Sequence, residues 1–355
     1  MTKRVTLLDV AKAAGVSKAT ASNTFASPMR VKPELRARIE AAARELGFAG
    51  PDPKGRMLSS GKVNAIGIVT FGAFGIAHFF KNAYQRDFLA GVADVCDARR
   101  VGLSLVSGRD DKEDWNLRNA LVDGFVFTRL DQVERLAPNA IHRLPYVVMD
   151  IDGAPDIRSV RVENHDGARQ ATRHLIGLGH RRFVIGAPLW SFQAPIFHPA
   201  SKGDRRLVPS APSQLEKLAG VAEALAEIGI SIDDVPIVEA CGTKEEEDAF
   251  GNGAAMLIRM AAQATAVIAL SDDLALAILD QAKKLGVSVP RGLSVIGFDD
   301  VPAAALADPP LTTVHQSAFE NGRVAARILL DGGPPQQAVV PVNLVVRGST
   351  APPML

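Results

Sequence analysis

The sequence is poor in cysteine and contains no long apolar run. Its two cysteines, Cys96 and Cys241, are far apart and form no CxxC pair. They therefore supply neither a disulfide framework nor a zinc ligand set, and a reducing compartment is the simplest location. No run of about 18 apolar residues occurs, and the start MTKRVTLLDV lacks the apolar stretch of a secretory signal. We expect a cytoplasmic protein with no membrane partner.

Length and charge indicate a small basic end joined to a larger body. With 355 residues, 47% of them hydrophobic and 22% charged, the chain has the composition of a globular protein of two or three domains. Residues 1–61 hold eleven Lys and Arg against five Asp and Glu, whereas the remaining 294 residues hold 29 against 34. Such a basic end is typical of a phosphate-binding headpiece. By charge alone, a solvated basic tail explains it equally well.

The first 48 residues carry the start and stop signals of three short helices. Thr6 is predicted to cap the first helix, and Gly15 to provide the left-handed turn after it. Ser17 is predicted to cap a second helix. Pro33 opens a third, which stops at Gly47. A helix, a tight glycine turn and a second helix predict a helix-turn-helix.

A hinge is predicted at residues 49–61, and an α/β body after it. The hinge text GPDPKGRMLSSG contains prolines and glycines that disfavour a helix standing alone. After Lys62, short apolar runs alternate with amphipathic helical stretches, which predicts parallel sheets covered on both faces. The predicted strands are AIGIVTF, GLSLVS, GFVFT, YVVMDI, SVRVE, FVIGAP, PIVEA, AVIALS and SVIGF. Ligands of open parallel sheets bind beyond the carboxyl ends of the strands.

The segment TLLDVAKAAGVSKATASNTF (6–25) closely resembles the helix-turn-helix of the lactose-repressor (LacI/GalR) family. In a recognition helix the outward residues near the N-terminus contact base edges. Both this geometry and the resemblance point to Lys18, Ala19 and Asn23. Lys18 can donate to guanine and Asn23 can pair with adenine, whereas Ala19 offers an apolar contact. Many relatives have Arg where this chain has Asn23, so the operator sequence stays open.

Further DNA contacts are expected around this helix and in the hinge. Register-setting contacts to phosphates are expected near the caps and on the helix surface, at Thr6, Ser17, Thr20 and Ser22. The hinge resembles the family's minor-groove segment, which implies that Leu58 is an apolar wedge between base pairs and that Arg56 lies beside it. A plain flexible linker is the alternative reading of the hinge.

Four phrases in the body resemble the family's regulatory domain, which is itself similar to type 1 periplasmic sugar-binding proteins. They are ENHDGARQATRHLIGLGHRRFVIGA (163–187), SDDLALAIL (271–279), VPRGLSVIGFDD (289–300) and PPLTTVHQ (309–316). The resemblance implies that Asp272 accepts hydrogen bonds from an effector, with Lys217 and Asp150 in the same site. Phe74 and Phe79 are candidates for an apolar face of that site, although core packing is the commoner role of such residues.

Catalysis and cofactor binding are not expected. The pairs Asp272–Asp273 and Asp299–Asp300 fall inside phrases of a non-enzymatic family. His165, His174 and His180 lack metal-ligand spacing, and GLGHRR is not a phosphate-binding glycine loop. We therefore predict that the protein is not an enzyme and has neither a cofactor nor a metal.

These observations predict a sequence-specific transcription regulator, a repressor, with a small all-α headpiece and a two-lobed parallel-sheet body. The predicted domains are the headpiece (1–48), the hinge (49–61) and an effector-binding and dimerisation domain (62–355). The family resemblance implies that lobe 1 comprises 62–160 and 290–320 and that lobe 2 comprises 161–289 and 321–355. The partners expected are a pseudo-palindromic double-stranded operator, a second copy of the chain, and a small sugar-like or anionic effector. A solute-binding protein without DNA function is the alternative.

Overall fold

The computed structural model consists of two compact units, Met1–Asn64 and Ala65–Leu355. It describes residues 5–26, 28–50, 57, 61–70, 75–108, 115–128, 133, 144–150, 156–189, 194–201, 212–241 and 250–354. Three predicted site residues, Arg56, Leu58 and Phe74, lie outside these ranges, as does most of the predicted hinge.

The first unit is the predicted helical headpiece. Thr6 and Asp9 form a capping box at the start of the first helix, and Gly15 has a φ of +62°, a backbone conformation that suits glycine. Val10, Ala21 and Ile39, one from each helix, are completely buried and form the centre of the core. The helices are α1 (Leu7–Ala13), α2 (Lys18–Ala26) and α3 (Pro33–Glu45), with a 3-10 turn at Pro28–Arg30.

The second unit contains a six-stranded parallel sheet, which we call the first sheet. Its strands pair in parallel, as the apolar runs predict for β1 to β5, whereas β12 was not predicted. The strand order is β12-β5-β4-β3-β1-β2. The strands are β1 (Ala65–Val69), β2 (Gly102–Val106), β3 (Phe125–Phe127), β4 (Tyr146–Met149), β5 (Ser159–Val162) and β12 (Gln337–Val340).

A five-stranded second sheet has the order β10-β9-β6-β8-β7. Every residue of its long central strand β6 is buried, which is the environment that a continuous apolar run such as FVIGAPL requires. The edge strand β7 pairs antiparallel with β8, and the sequence did not predict it. The strands are β6 (Phe183–Leu189), β7 (Ile196–His198), β8 (Ile237–Cys241), β9 (Ala266–Ala269) and β10 (Ser294–Ile296).

Helices and a small third sheet complete the second unit. The third sheet pairs β11 (Thr313–Gln316) antiparallel with β13 (Val342–Val345). The helices are α4 (Gly75–Lys81), α5 (Ala83–Arg99), α6 (Trp115–Arg118), α7 (Asn164–Gly177), α8 (Pro212–Ala226), α9 (Gly251–Met260), α10 (Asp272–Lys284), α11 (Pro302–Leu306) and α12 (Ala318–Asp331), with 3-10 turns at Ile232–Asp234 and Ala261–Gln263.

The chain segments exchange between the sheets in the opposite sense to the prediction. Residues 290–320 were expected in lobe 1, but β10 pairs with β9 in the second sheet. Residues 321–355 were expected in lobe 2, and Val342 and Leu344 do pack in the core of the second sheet, but β12 pairs with β5 in the first sheet and α12 packs on α5. A Cβ added at Gly322 would lie 2.1 Å from the carbonyl oxygen of Phe88, so this packing depends on glycine. The expected bounds came from the family resemblance, and the apolar runs could not correct them because they identify strands without identifying the strands they pair with.

Candidate DNA-binding helix and ligand site

The local hydrogen bonds of α2 hold its first turn in place. Ser17 Oγ accepts a hydrogen bond of 3.1 Å from the backbone N–H of Thr20 and lies 2.8 Å from Thr20 Oγ1. One turn later, Thr24 Oγ1 donates to the carbonyl of Thr20 at 3.1 Å. Ala21 is completely buried against the other two helices, which determines the face of α2 that points outward.

The outward face of α2 carries the three residues predicted to read bases. Lys18, Ala19 and Asn23 are all exposed, whereas Thr20 and Ser22 are half-buried. The arrangement presents an ammonium, a methyl and an amide along one side of a short helix. These are the groups that pair with guanine, the thymine methyl and adenine in a major groove. Thr6 is also exposed, but its hydroxyl and backbone form the capping box with Asp9.

In the second unit, four aspartates lie close to the carboxyl ends of strands. Asp150 directly follows β4, Asp272 and Asp273 open α10 beyond β9, and Asp299 follows β10. We call these four residues the acidic cluster. Asp299 is near enough to the other three for its charge to raise the pKa of each of them. The structure therefore brings together side chains from both sheets, at the edge where open parallel sheets bind ligands.

Lys217, on α8, is the ammonium of this region, and the protein itself occupies its nitrogen. The side chain is almost completely buried. Its Nζ donates to the carbonyl of Leu270 at 3.1 Å, lies 3.6 Å from Asp299 Oδ1, and stands 3.8 Å from the centre of the Phe298 ring. Lys217 thus acts as the counter-charge of Asp299.

Asp272 is completely buried, and both of its carboxylate oxygens have donors within the protein. Oδ1 accepts from Thr313 Oγ1 at 2.6 Å, and Oδ2 accepts from the backbone N–H of Val301 at 3.0 Å. Burial, with a smaller contribution from Asp299, raises its pKa to about 7. A Cβ at Gly297 would lie 2.1 Å from Oδ1, so glycine is required there. In this conformation Asp272 ties α10 to the segments that follow β10.

Asp150 differs from Asp272 because one of its oxygens has no partner among the described residues. Oδ1 is buried and makes no hydrogen bond within the described residues. The residue has a φ of +51°, an unusual value for a non-glycine residue and one that is often associated with functional sites. Burial raises its pKa to about 6, in opposition to the lowering effect of Lys217. Asp150 therefore has an acceptor available for a donor from outside the chain.

Tyr84 and Asn82 belong to this region, although the sequence did not identify them. The phenol oxygen of Tyr84 accepts a 3.0 Å hydrogen bond from Asn321 Nδ2. Burial raises the pKa of Tyr84 strongly, and the charge of Asp150 adds to that effect. Asn82 Nδ2 donates to Asp273 Oδ2 at 2.8 Å. The only sequence signal was their place beside the predicted helix that follows the first strand.

Phe79 packs in the hydrophobic core that includes Ile66, Phe88 and Met149, and it is 1% exposed. This position is that of a core residue and not of a residue facing the ligand site.

The described residues contain no group of three or more His, Cys, Asp and Glu side chains placed to hold a metal ion. None of the helices in the described ranges combines the length and apolar character needed to cross a bilayer.

Comparison with known proteins identifies the family. Residues 6–50 match the family described as bacterial regulatory proteins, lacI family, and residues 172–350 match a periplasmic binding protein-like domain. The HTH-type transcriptional regulator Rv3575c of Mycobacterium tuberculosis is 32% identical over 99% of this chain and 98% of its own length. This chain belongs to the LacI family. The predicted family resemblance and fold class are confirmed.

Other LacI-family members agree with this assignment. The HTH-type transcriptional repressor CytR of Escherichia coli K12 is 30% identical over 97% of this chain and 96% of its own. A transcriptional regulator CelR–cellobiose complex has 26% identity and a TM-score of 0.66, covering 98% of this chain and all of that one. A Lac repressor dimer bound to operator has a TM-score of 0.77 with the same coverage, and its 24% identity establishes the fold alone. The chain is a LacI-family helix-turn-helix transcription regulator.

Proposed function

We propose that α2 enters the major groove of an operator and that Lys18, Ala19 and Asn23 read its bases. The observation that carries this proposal is the exposure of these three side chains on a helix whose opposite face is core. Thr6, Ser17, Thr20 and Ser22 serve as phosphate contacts that set the register. Leu58 and Arg56 act in the minor groove, as the family resemblance implies.

The operator is pseudo-palindromic and the regulator is a homodimer, because two identical headpieces related by a twofold axis recognise inverted half-sites. The protein acts in the cytoplasm, where its operator is. A repressor role agrees with the name of the CytR relative. We infer no enzymatic activity, since Asp272 and Asp299 are engaged in hydrogen bonds and an ion pair, and the described residues of the acidic cluster include no nucleophile with its base.

The effector binds at the acidic cluster, where Asp150, Lys217 and Asp272 meet. The buried acceptor on Asp150 supports this assignment, because an unpaired carboxylate oxygen gains a hydrogen bond when a ligand donates to it. The effector is a sugar or sugar derivative, a class represented among the relatives by the cellobiose complex. Binding favours one arrangement of the two sheets and so changes operator affinity, typically by about 1–3 kcal/mol. Phe74 is retained as a weaker candidate for its apolar side.

A selection of genomic fragments with the full-length protein at moderate salt tests the DNA-binding proposal. We expect enrichment of an inverted-repeat sequence, and Leu58→Ser is expected to weaken binding to it because the wedge is lost. Absence of any preferred fragment would contradict the proposal. Unchanged specific binding by Leu58→Ser would remove only the wedge assignment.

A further inference from the structure

The acidic cluster contains more carboxyl groups than the described residues around it supply cations. The cluster supplies four carboxyl groups, and Glu216 is close enough to Asp150 to raise its pKa further. Two cations among the described residues are near: Lys217, which faces Asp150 and Asp299, and Arg86, which faces Asp273. The neighbouring Asp300 has its own partners, Arg347 at 2.6 Å and His315 at 2.9 Å. The described residues of the cluster therefore carry more negative than positive charge.

Two donors in the described part of this region are already used, whereas a carboxylate oxygen of Asp150 is not. Lys217 Nζ is occupied by Leu270 and Asp299, and Asn82 Nδ2 by Asp273. Asp150 Oδ1, by contrast, is buried and unpaired within the described residues. A phosphate or carboxylate ligand brings only acceptors and negative charge, and the two cations described near the cluster, Lys217 and Arg86, already donate to backbone carbonyls. Lys217 would have to leave Asp299 to bind such a ligand, and a buried carboxylate would then lose its counter-charge.

An ammonium group has the opposite properties. It brings three donors and one positive charge, and a charge-assisted hydrogen bond is roughly twice as strong as a neutral one. Placed against Asp150 Oδ1, it satisfies the unpaired acceptor and supplies the missing counter-charge to a cluster in which burial already disfavours ionisation. A neutral hydroxyl satisfies the acceptor but leaves the charge uncompensated.

We propose that the effector is an amine-bearing, hydroxylated small molecule, of the amino-sugar type, whose ammonium binds Asp150. This inference rests on the proposed function of the acidic cluster as the effector site and specifies the chemical class of its ligand. It favours an amine over the anionic effector that the sequence left open.

The test uses the full-length protein and sets of related ligands that differ in charge. Each set contains a neutral sugar, its amino derivative and its phosphate, for example glucose, glucosamine and glucose 6-phosphate. Further sets of the same design start from galactose and from nucleosides, whose amine members are aminonucleosides. Thermal shift finds the sets that bind, and calorimetry gives each Kd at pH 7. Within a set that binds, we expect the amine to bind about tenfold more tightly than the neutral member, which is the difference between a charged and a neutral hydrogen bond. The phosphate is expected to bind most weakly.

Two variants separate the role of Asp150 from a general effect of charge. Asp150→Asn removes the charge and keeps the shape, so the preference for the amine is expected to disappear. Asp280→Asn removes the same charge from an exposed residue of α10 that pairs with Lys284, and the preference is expected to persist. Lowering the pH below about 6 is expected to weaken amine binding in the wild type, because Asp150 then gains a proton.

The outcomes that contradict the inference are distinct from those that contradict the proposed function. Tighter binding of a phosphorylated or a neutral member than of its amine overturns the inference and leaves the acidic cluster as an effector site. An amine preference unchanged in Asp150→Asn also overturns it. Absence of binding by every set contradicts the proposed function itself, and the inference fails with it.

Discussion

Asn82 Nδ2 donates a 2.8 Å hydrogen bond to Asp273 Oδ2, and this contact links the start of α5 to the start of α10. Helix α5 packs on the first sheet, whereas α10 packs on the second. The adjacent Ala83 also contacts the core of the second sheet. The other atom of the same amide, Asn82 Oδ1, caps α5 by accepting from the backbone N–H of Gln85 at 2.9 Å. One side chain therefore both starts a helix and joins the two halves of the body.

Replacing Asn82 separates these two roles. Asn82→Ser keeps a good helix cap but is too short to reach Asp273, so we expect it to lower the free energy of unfolding by about 1–2 kcal/mol for the lost charged hydrogen bond. Asn82→Ala also loses the cap and is expected to cost about 1 kcal/mol more. Urea unfolding measures both variants. Equal stability of the serine variant and the wild type would show that the link between the halves contributes nothing.

Asp273 makes the stability of the protein depend on pH. Burial raises its pKa from the ordinary 3.8 to about 6 in the folded protein. Its contribution to stability is therefore fully present below pH 4 and is lost as the pH rises towards 6 and above. Asp273→Asn does not titrate and can still accept from Asn82. We expect the variant to gain about 2 kcal/mol relative to wild type between pH 4 and pH 7.

Urea unfolding of both proteins across this range measures that gain. Other titrating groups, including His174 and His180, whose pKa values burial lowers, are present in both proteins and cancel in the difference. A difference that does not change with pH would show that Asp273 has no raised pKa.

Lys217 is expected to be essential for the stability of the second unit. Lys217→Met removes the ammonium beside Asp299 and leaves a buried carboxylate without its counter-charge, at a cost of about 3 kcal/mol at pH 7. The double variant Lys217→Met/Asp299→Asn removes the charge as well, and its amide oxygen can still accept from Gln316. It is expected to recover most of the loss. Denaturant unfolding measures the free energy of unfolding of the single and double variants. An equal loss of stability in both would show that Lys217 contributes through packing and not through its charge.

Asn23 is expected to determine one base pair of each half-site. Asn23→Ala removes an exposed amide without changing the charge of the headpiece. We expect specific affinity to fall by about 1–3 kcal/mol, with relaxed preference at a single position, while affinity for bulk DNA stays the same. Binding titrations with the selected operator and with its single-base variants measure both. A uniform loss across all sequences would show that Asn23 contacts the backbone instead.

Local signals in the sequence determined the headpiece. Thr6, Gly15 and Pro33 act through their immediate neighbours, by capping, by a left-handed turn and by a preset φ, and the structure places all three where those signals predict. The alternation of apolar runs with amphipathic stretches likewise predicted nine strands of the two parallel sheets. These features depend on residues only a few positions apart, so no knowledge of the tertiary fold is needed.

The tertiary structure alone decided the pairings between distant segments. It placed β10 in the second sheet and β12 in the first, added the edge strand β7, and brought Tyr84 towards Asp150. It also showed that Lys217 is paired with Asp299 and that Asp272 is satisfied by Thr313 and Val301. Sequence periodicity reports which residues are buried but carries no information on what they are buried against, because strand pairing and charge pairing join residues that are far apart in the chain.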